Sequence, residues 1–211
     1  MKLVATLVNS VHKAHKILNE IPDNSVILFP ELPELEDSYV RKISKEKQLF
    51  VIYNHDIRKN GKTYITMKGV DNGKQVWRVR KYHLWKTDYE DYAQPPAPEP
   101  IVNIRGITAA VEICYGMSKI AGHGRLFHYG YQIAKHNPEI LLFPANWEFN
   151  WHIPEDVIAS AIKCIPSVKV ALFSCTRCYA IASTRAKAKK IISRGWVEID
   201  ALQNLRCKQN R

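Results

Sequence analysis

Three residues that could share one reaction stand at the ends of apolar runs. Glu31, a carboxylate, follows Val26-Ile27-Leu28-Phe29-Pro30; Lys81, an ammonium, follows Gln75-Val76-Trp77-Arg78-Val79-Arg80; Cys114, a thiol, follows Val111-Glu112-Ile113. A thiol is an effective nucleophile only as thiolate, so it needs a nearby base or positive charge, and Glu31 and Lys81 supply one of each. Each has an ordinary explanation when taken alone: cysteine is among the most often buried residues, a glutamate can cap a helix, and a lysine can lie on the surface. Their coincidence at three strand ends is what points to a catalytic site.

The elements around them predict how they are positioned. Residues 3–8 read as a buried strand. Residues 10–21 read as a helix, because Val11, Ala14, Ile17, Leu18 and Ile21 recur at helical spacing, Ser10 or Asn9 can cap it and Pro22 stops it. Residues 26–29 are apolar on both faces, as in a strand covered on each side, and Pro30 then breaks the ladder and delivers Glu31. A helix over residues 34–46, with Leu35, Tyr39, Val40 and Ile43 inward, and a strand over 49–53 follow. Strand, helix, strand, helix, strand predicts an α/β layered fold.

Residues 63–67 and 75–80 flank Asp71-Asn72-Gly73, which tolerates positive φ, and so predict an antiparallel hairpin with Trp77, Val79 and Lys81 on its more apolar face. Residues 86–100, with Asp88, Glu90, Asp91 and four prolines, make a loop long enough to cover a site. Residues 107–113 read as a strand on which Cys114 shares a face with Glu112 and Ala110, and residues 122–136 as a helix stopped at Asn137-Pro138. Ile140-Leu141-Leu142-Phe143-Pro144 repeats the earlier Ile27-Leu28-Phe29-Pro30 and delivers Ala145-Asn146-Trp147, which implies two similar halves face to face. A helix over 154–164 and strands over 168–174, 179–183 and 196–199 complete one domain, residues 1–202, with a polar basic tail at 203–211. The loops after Glu31, Tyr53, Lys81, Cys114 and Trp147 should line the pocket.

Bulk properties narrow the class. A chain of 211 residues with 46% hydrophobic and 24% charged residues can bury one sizeable core, and no apolar run approaches the roughly 18 residues of a membrane span. With nothing resembling a signal peptide, a soluble cytoplasmic protein is expected. The net charge of +11 makes a nucleic-acid partner worth weighing. The charge is scattered, however, and its densest part (Arg185, Lys187, Lys189, Lys190, Arg194, then Arg206, Lys208, Arg211) lacks interleaved aromatics, so a solvated basic face is the better reading. Five cysteines do not make a closed disulfide framework, and the Cys175-Thr176-Arg177-Cys178 pair follows a strand instead of opening a helix, which argues against thioredoxin-type chemistry. No metal or other cofactor is expected.

Phe29-Pro30-Glu31-Leu32, Arg80-Lys81-Tyr82-His83-Leu84 and Glu112-Ile113-Cys114-Tyr115-Gly116, in that order, resemble the three signatures of the nitrilase or carbon-nitrogen hydrolase superfamily. Phe143-Pro144-Ala145-Asn146-Trp147 and the helix and strand after it are similar to that family's later segments. The resemblance implies a four-layer α-β-β-α sandwich, two mixed β-sheets flanked by helices. It implies a Glu31-Lys81-Cys114 triad that attacks a carboxamide or nitrile carbon, with Lys81 and the backbone N–H of Tyr115 holding the oxyanion, and it favours a small linear amide over a nitrile. It also implies a second glutamate in the loop after Lys81, for which Glu90 is the candidate and Asp88 and Asp91 stand in similar register. Substrate contacts are expected from Tyr115, Asn146 and Trp147, and the assembly is expected to be a homodimer. The family usually carries an acidic residue after Cys-Tyr, followed by an Arg-Pro-Glu-like turn; Gly116-Met117-Ser118-Lys119-Ile120 stands here, a change that touches substrate recognition more than the triad. The alternative is a catalytically silent relative whose basic surface binds an acidic partner or nucleic acid.

Overall fold

The computed structural model describes residues 1–84, 91–146, 153–192 and 195–200. Glu90, Asp88, Trp147 and the tail at 203–211 lie outside the described residues.

The first half builds β1 (Lys2–Thr6), α1 (Val11–Glu20), β2 (Val26–Leu28), α2 (Asp37–Glu46) and β3 (Phe50–Asn54). Ser10 caps α1, its side chain accepting from the backbone N–H of Lys13, and the helix buries Ala14, Ile17 and Leu18. The second helix begins three residues later than its apolar pattern predicts. Leu35 is nevertheless buried, because its N–H reaches the Asn54 carbonyl at 3.4 Å and holds the preceding loop against β3.

Next come a small hairpin, β4 (Ile57–Lys59) and β5 (Lys62–Tyr64), and a larger one, β6 (Thr66–Asp71) and β7 (Lys74–Arg80). The predicted first arm is thus divided between two hairpins. Asn72 and Gly73 both take positive φ, 48° and 79°, as a two-residue hairpin turn requires. Gly69 is the glycine that packing demands: a Cβ there would stand 2.4 Å from Cε2 of Trp77 on the facing strand.

The second half contains β8 (Ile101–Ile104), β9 (Ile107–Val111), a 3-10 helix (Cys114–Lys119), a two-residue-per-strand hairpin β10 (Ala121–Gly122) and β11 (Arg125–Leu126), α3 (His128–Ala134), β12 (Ile140–Ala145), α4 (Ile153–Cys164), β13 (Val170–Cys175), β14 (Ala180–Thr184), β15 (Ala188–Ile191) and β16 (Trp196–Asp200). Here the structure corrects two expectations. The helix predicted over 122–136 is cut to its last half, because His123 and Gly124 take positive φ and turn the chain into the β10/β11 hairpin. Cys114 does not share a face with Glu112, because β9 ends at Val111 and Cys114 itself takes φ 51°, which swings the chain out of the strand. β15 escaped notice since Ala188, Lys189 and Lys190 are exposed on an edge strand and carry no apolar alternation.

Two six-stranded sheets result, in the orders β16-β1-β2-β3-β6-β7 and β8-β9-β12-β13-β14-β15. In each, three parallel strands lie at the second to fourth places with antiparallel strands on both sides. The two sheets therefore have one design, and β2 and β12, which carry the repeated Leu-Phe-Pro, occupy equivalent third places. The facing sheets share a core that includes Leu28, Ile52, Met67, Val111, Leu142 and Leu172. Helices α1 and α2 cover the outer face of the first sheet through Ile17, Leu18 and Val40, and α3 and α4 cover that of the second through Ile133, Val157 and Ala161. This is the predicted α-β-β-α sandwich.

A polar seam stitches the sheets together at one end. The Thr6 N–H donates to Ser174 Oγ at 2.9 Å, and the Ser174 hydroxyl (2.7 Å) and Thr6 hydroxyl (2.9 Å) both donate to the Leu28 carbonyl. Beside it the Val8 N–H donates to the Cys175 carbonyl at 3.1 Å.

Candidate active site

Strand direction brings the three candidate residues together. β7 runs antiparallel to β6, which runs antiparallel to β3, so β7 points the same way as β2 and β3. Glu31, just past β2, and Lys81, just past β7, thus emerge from one edge of the first sheet. Cys114 lies just past β9 in the second sheet, and the seam at Leu28 and Ser174 fixes that the same ends of both sheets meet. Carboxyl ends of parallel strands are where α/β sheets hold ligands.

Lys81 Nζ donates to Glu31 Oε1 at 2.8 Å, and both residues are buried, 3% and 6% exposed, which for a pair of opposite charges makes each dependent on the other. The Lys81 N–H bonds the Ile65 carbonyl at 2.8 Å and so anchors the turn out of β7. Glu31 Oε2 is buried and meets no nitrogen or oxygen donor among the described residues.

The Cys114 thiol lies beside this pair. Burial pushes it well above the ordinary cysteine range, the Glu31 carboxylate pushes it the same way, and Lys81 and a hydrogen bond from the Asn146 backbone only partly oppose them. Both effects favour the protonated thiol, set beside the Glu31 carboxylate. The positive φ of Cys114, uncommon for a residue with a side chain, is the local strain that turns the sulfur toward Glu31.

Asn146 follows β12 as Glu31 follows β2. Its backbone meets the sulfur, and its side-chain Oδ1 accepts from Thr176 Oγ1 at 2.6 Å. Tyr115 lies in the 3-10 helix, half-buried, with Lys119 Nζ 4.4 Å from its ring centre. Asp91 is exposed.

Two neighbours escaped the sequence reading. Asp56, in the loop after β3, has its carboxyl pushed up to about 6 by burial and by the charges of Glu34 and Glu31, and it accepts the Thr66 N–H at 3.2 Å. Its position after Tyr53 was the only signal available. Glu112 is 4% exposed, bonded by the Tyr129 hydroxyl through Oε1, with Oε2 3.7 Å from His83 Nδ1. The Cys178 thiol donates to Cys175 Sγ at 3.0 Å. Among the described residues no group of three or more His, Cys, Asp or Glu could hold a metal ion, and no helix is long and apolar enough to cross a membrane.

The fold so defined is that of the nitrilase, or carbon-nitrogen hydrolase, superfamily. An amidase of that superfamily from Nesterenkonia AN1 has a TM-score of 0.75 at 11% identity, over 98% of this chain and 94% of its own. A CN-hydrolase superfamily protein from Xanthomonas campestris, solved with an arsenic adduct in its active site, scores 0.72 at 12% identity over 96% and 91%. Nit3 of Saccharomyces cerevisiae, from branch 10 of the nitrilase superfamily, scores 0.71 at 14% identity over 100% and 96%. No family model matches the sequence, and no curated protein matches it.

Proposed function

We propose that the protein is a cysteine-dependent hydrolase of non-peptide carbon-nitrogen bonds, acting on a small linear amide. The observation that supports this most is the buried Lys81-Glu31 pair with the Cys114 thiol set against its carboxylate. In this reading Glu31 takes the thiol proton as sulfur attacks the amide carbon, Lys81 and backbone N–H groups near Asn146 and Tyr115 hold the oxyanion, and Glu31 returns the proton to the leaving nitrogen. Ammonia or an amine departs and leaves a thioester. Water, deprotonated by Glu31, then attacks the thioester carbon, and the acid is released as the thiol recovers its proton. Glu90 as orienting acid and Trp147 as substrate contact belong to the same proposal, as does a homodimer.

The test is ammonia release over a panel of small amides, ω-amides and carbamoyl compounds, with Cys114→Ala as blank. Release that depends on Cys114 supports the proposal; equal release by both proteins counts against it.

A second reading, a silent scaffold with a basic face, is favoured by one observation: residues 185–190 are all exposed and include Arg185, Lys187, Lys189 and Lys190. It requires retention on heparin that survives moderate salt.

A further inference from the structure

Gly116 is not a glycine for reasons of backbone conformation, since its φ lies outside the positive range in which glycine is favoured. It is a glycine because its side-chain space is taken. A Cβ built at 116 would stand 2.2 Å from Glu112 Oε2 and 3.3 Å from His83 Nδ1. The carboxylate of Glu112 thus fills the place where a side chain from 116 would point, against the His83 ring.

The same residue meets three segments. Its own backbone closes β9 with an N–H bond to the Leu142 carbonyl at 2.9 Å, two residues before Cys114. Oε1 accepts from the Tyr129 hydroxyl of α3, while Oε2 faces His83, two residues after Lys81. The His83 ring sits edge-on to both Tyr129 and Tyr82, with centroids 4.5 and 5.0 Å away. Burial and then the charge of Glu112 push the Tyr129 phenol up, so the hydroxyl keeps its proton and donates to Glu112. A buried acid hydrogen-bonded to α3 through its carboxylate and to β12 through its backbone, with the His83 ring nitrogen 3.7 Å away, sits where three segments meet.

We infer that Glu112 is a positioning residue, a carboxylate that occupies the side-chain space of position 116 and sets the Cys114 turn against Tyr129 and the His83 end of the Lys81 segment. The inference rests on the proposed hydrolase reading for its purpose. It acts through its neighbours and touches no reacting atom. Its signature is mutual exclusion: the space beside His83 holds a side chain from 112 or from 116, and not both.

The experiment measures the alkylation rate of Cys114 by iodoacetamide, followed by peptide mass, in wild type, Glu112→Ala, Glu112→Gln, Gly116→Asp and the double variant Glu112→Ala/Gly116→Asp. Alkylation needs no known substrate, so its outcome stands apart from whether any amide is hydrolysed. Expected is a slowing of about tenfold in Glu112→Ala and Glu112→Gln. The double variant is expected to return to within about twofold of wild type, with Gly116→Asp alone impaired because two carboxylates compete for one space. If Glu112→Ala does not fold, Glu112→Gln, which keeps the volume, and the double variant carry the comparison. Folded single Glu112 variants alkylated at the wild-type rate, or a double variant no faster than Glu112→Ala, would overturn the inference. Where a substrate is found, a fall in kcat with KM unchanged is expected in the same variants.

Discussion

Lys81 Nζ lies 2.8 Å from Glu31 Oε1 although the two residues are fifty positions apart and leave different strands of the sheet. Both are buried, so neither charge is solvated without the other. Removing one partner should leave an uncompensated charge. Lys81→Met is expected to destabilise the fold by about 3 kcal/mol or more, whereas Lys81→Met/Glu31→Gln should cost clearly less. Urea unfolding of the two variants checks this, and equal losses would mean that the pair is not coupled.

The same three residues should be indispensable to turnover. Cys114→Ala, Glu31→Gln and Lys81→Met are each expected to lower amide hydrolysis on the order of 10³-fold or more, with combined losses no larger than the worst single one, because the groups act as a unit. Steady-state ammonia release on whichever panel compound is accepted measures it.

The raised Cys114 thiol fixes a pH dependence. In the unfolded chain a cysteine ionises near about 8.5, while in the fold it stays protonated well beyond that. Above that pH the native state binds more protons than the unfolded state, so stability is fully present below it and is lost as pH rises. Wild type should therefore lose stability relative to Cys114→Ala between neutral pH and pH 10, as read by denaturation midpoints. Parallel curves would show that the thiol is not perturbed.

The backbone at Cys114 offers a separate measurement. At φ 51° a Cβ is strained, and glycine is not. Cys114→Gly, despite its greater chain entropy when unfolded, is expected to be at least as stable as Cys114→Ala and up to about 1 kcal/mol more so. A thermal midpoint for the glycine variant well below that of the alanine variant would argue against the strained geometry.

The seam predicts its own cost. Ser174→Ala removes the acceptor of the buried Thr6 N–H and one donor to the Leu28 carbonyl, and should cost about 1–3 kcal/mol. Activity should fall with it, since Leu28 lies three residues before Glu31.

Much of this was readable from residues. Apolar runs ending in Phe-Pro announced β2 and β12, and the turn at Asn72-Gly73 announced the β6/β7 hairpin, because these signals are local. Glu31, Lys81 and Cys114 were visible as strand ends. What stayed hidden depended on non-local packing. The β10/β11 hairpin lay inside a helical pattern, with His123 at positive φ providing no reliable cue. The role of Gly116 could not be read, since the carboxylate that explains it comes from Glu112, and the protonated state of the thiol follows from burial that no spacing reveals.

The two sheets of identical strand order have consequences as a mechanical arrangement. One half of the chain carries the acid and the ammonium, while the other carries the sulfur and the Asn146 amide, so the groups of the proposed triad ride on separate plates. Each plate keeps its ladder bonds whatever the other does. A slide of one plate along the other would change the sulfur-to-carboxylate distance first and break regular structure last, against the cross-sheet bonds of Ser174 to Thr6 and Leu28 and of Arg105 to Asp71, Asn24 and Gln48. The proposed amide hydrolysis should then act as a gauge of interplate alignment and fail under heat or denaturant before circular dichroism records any loss.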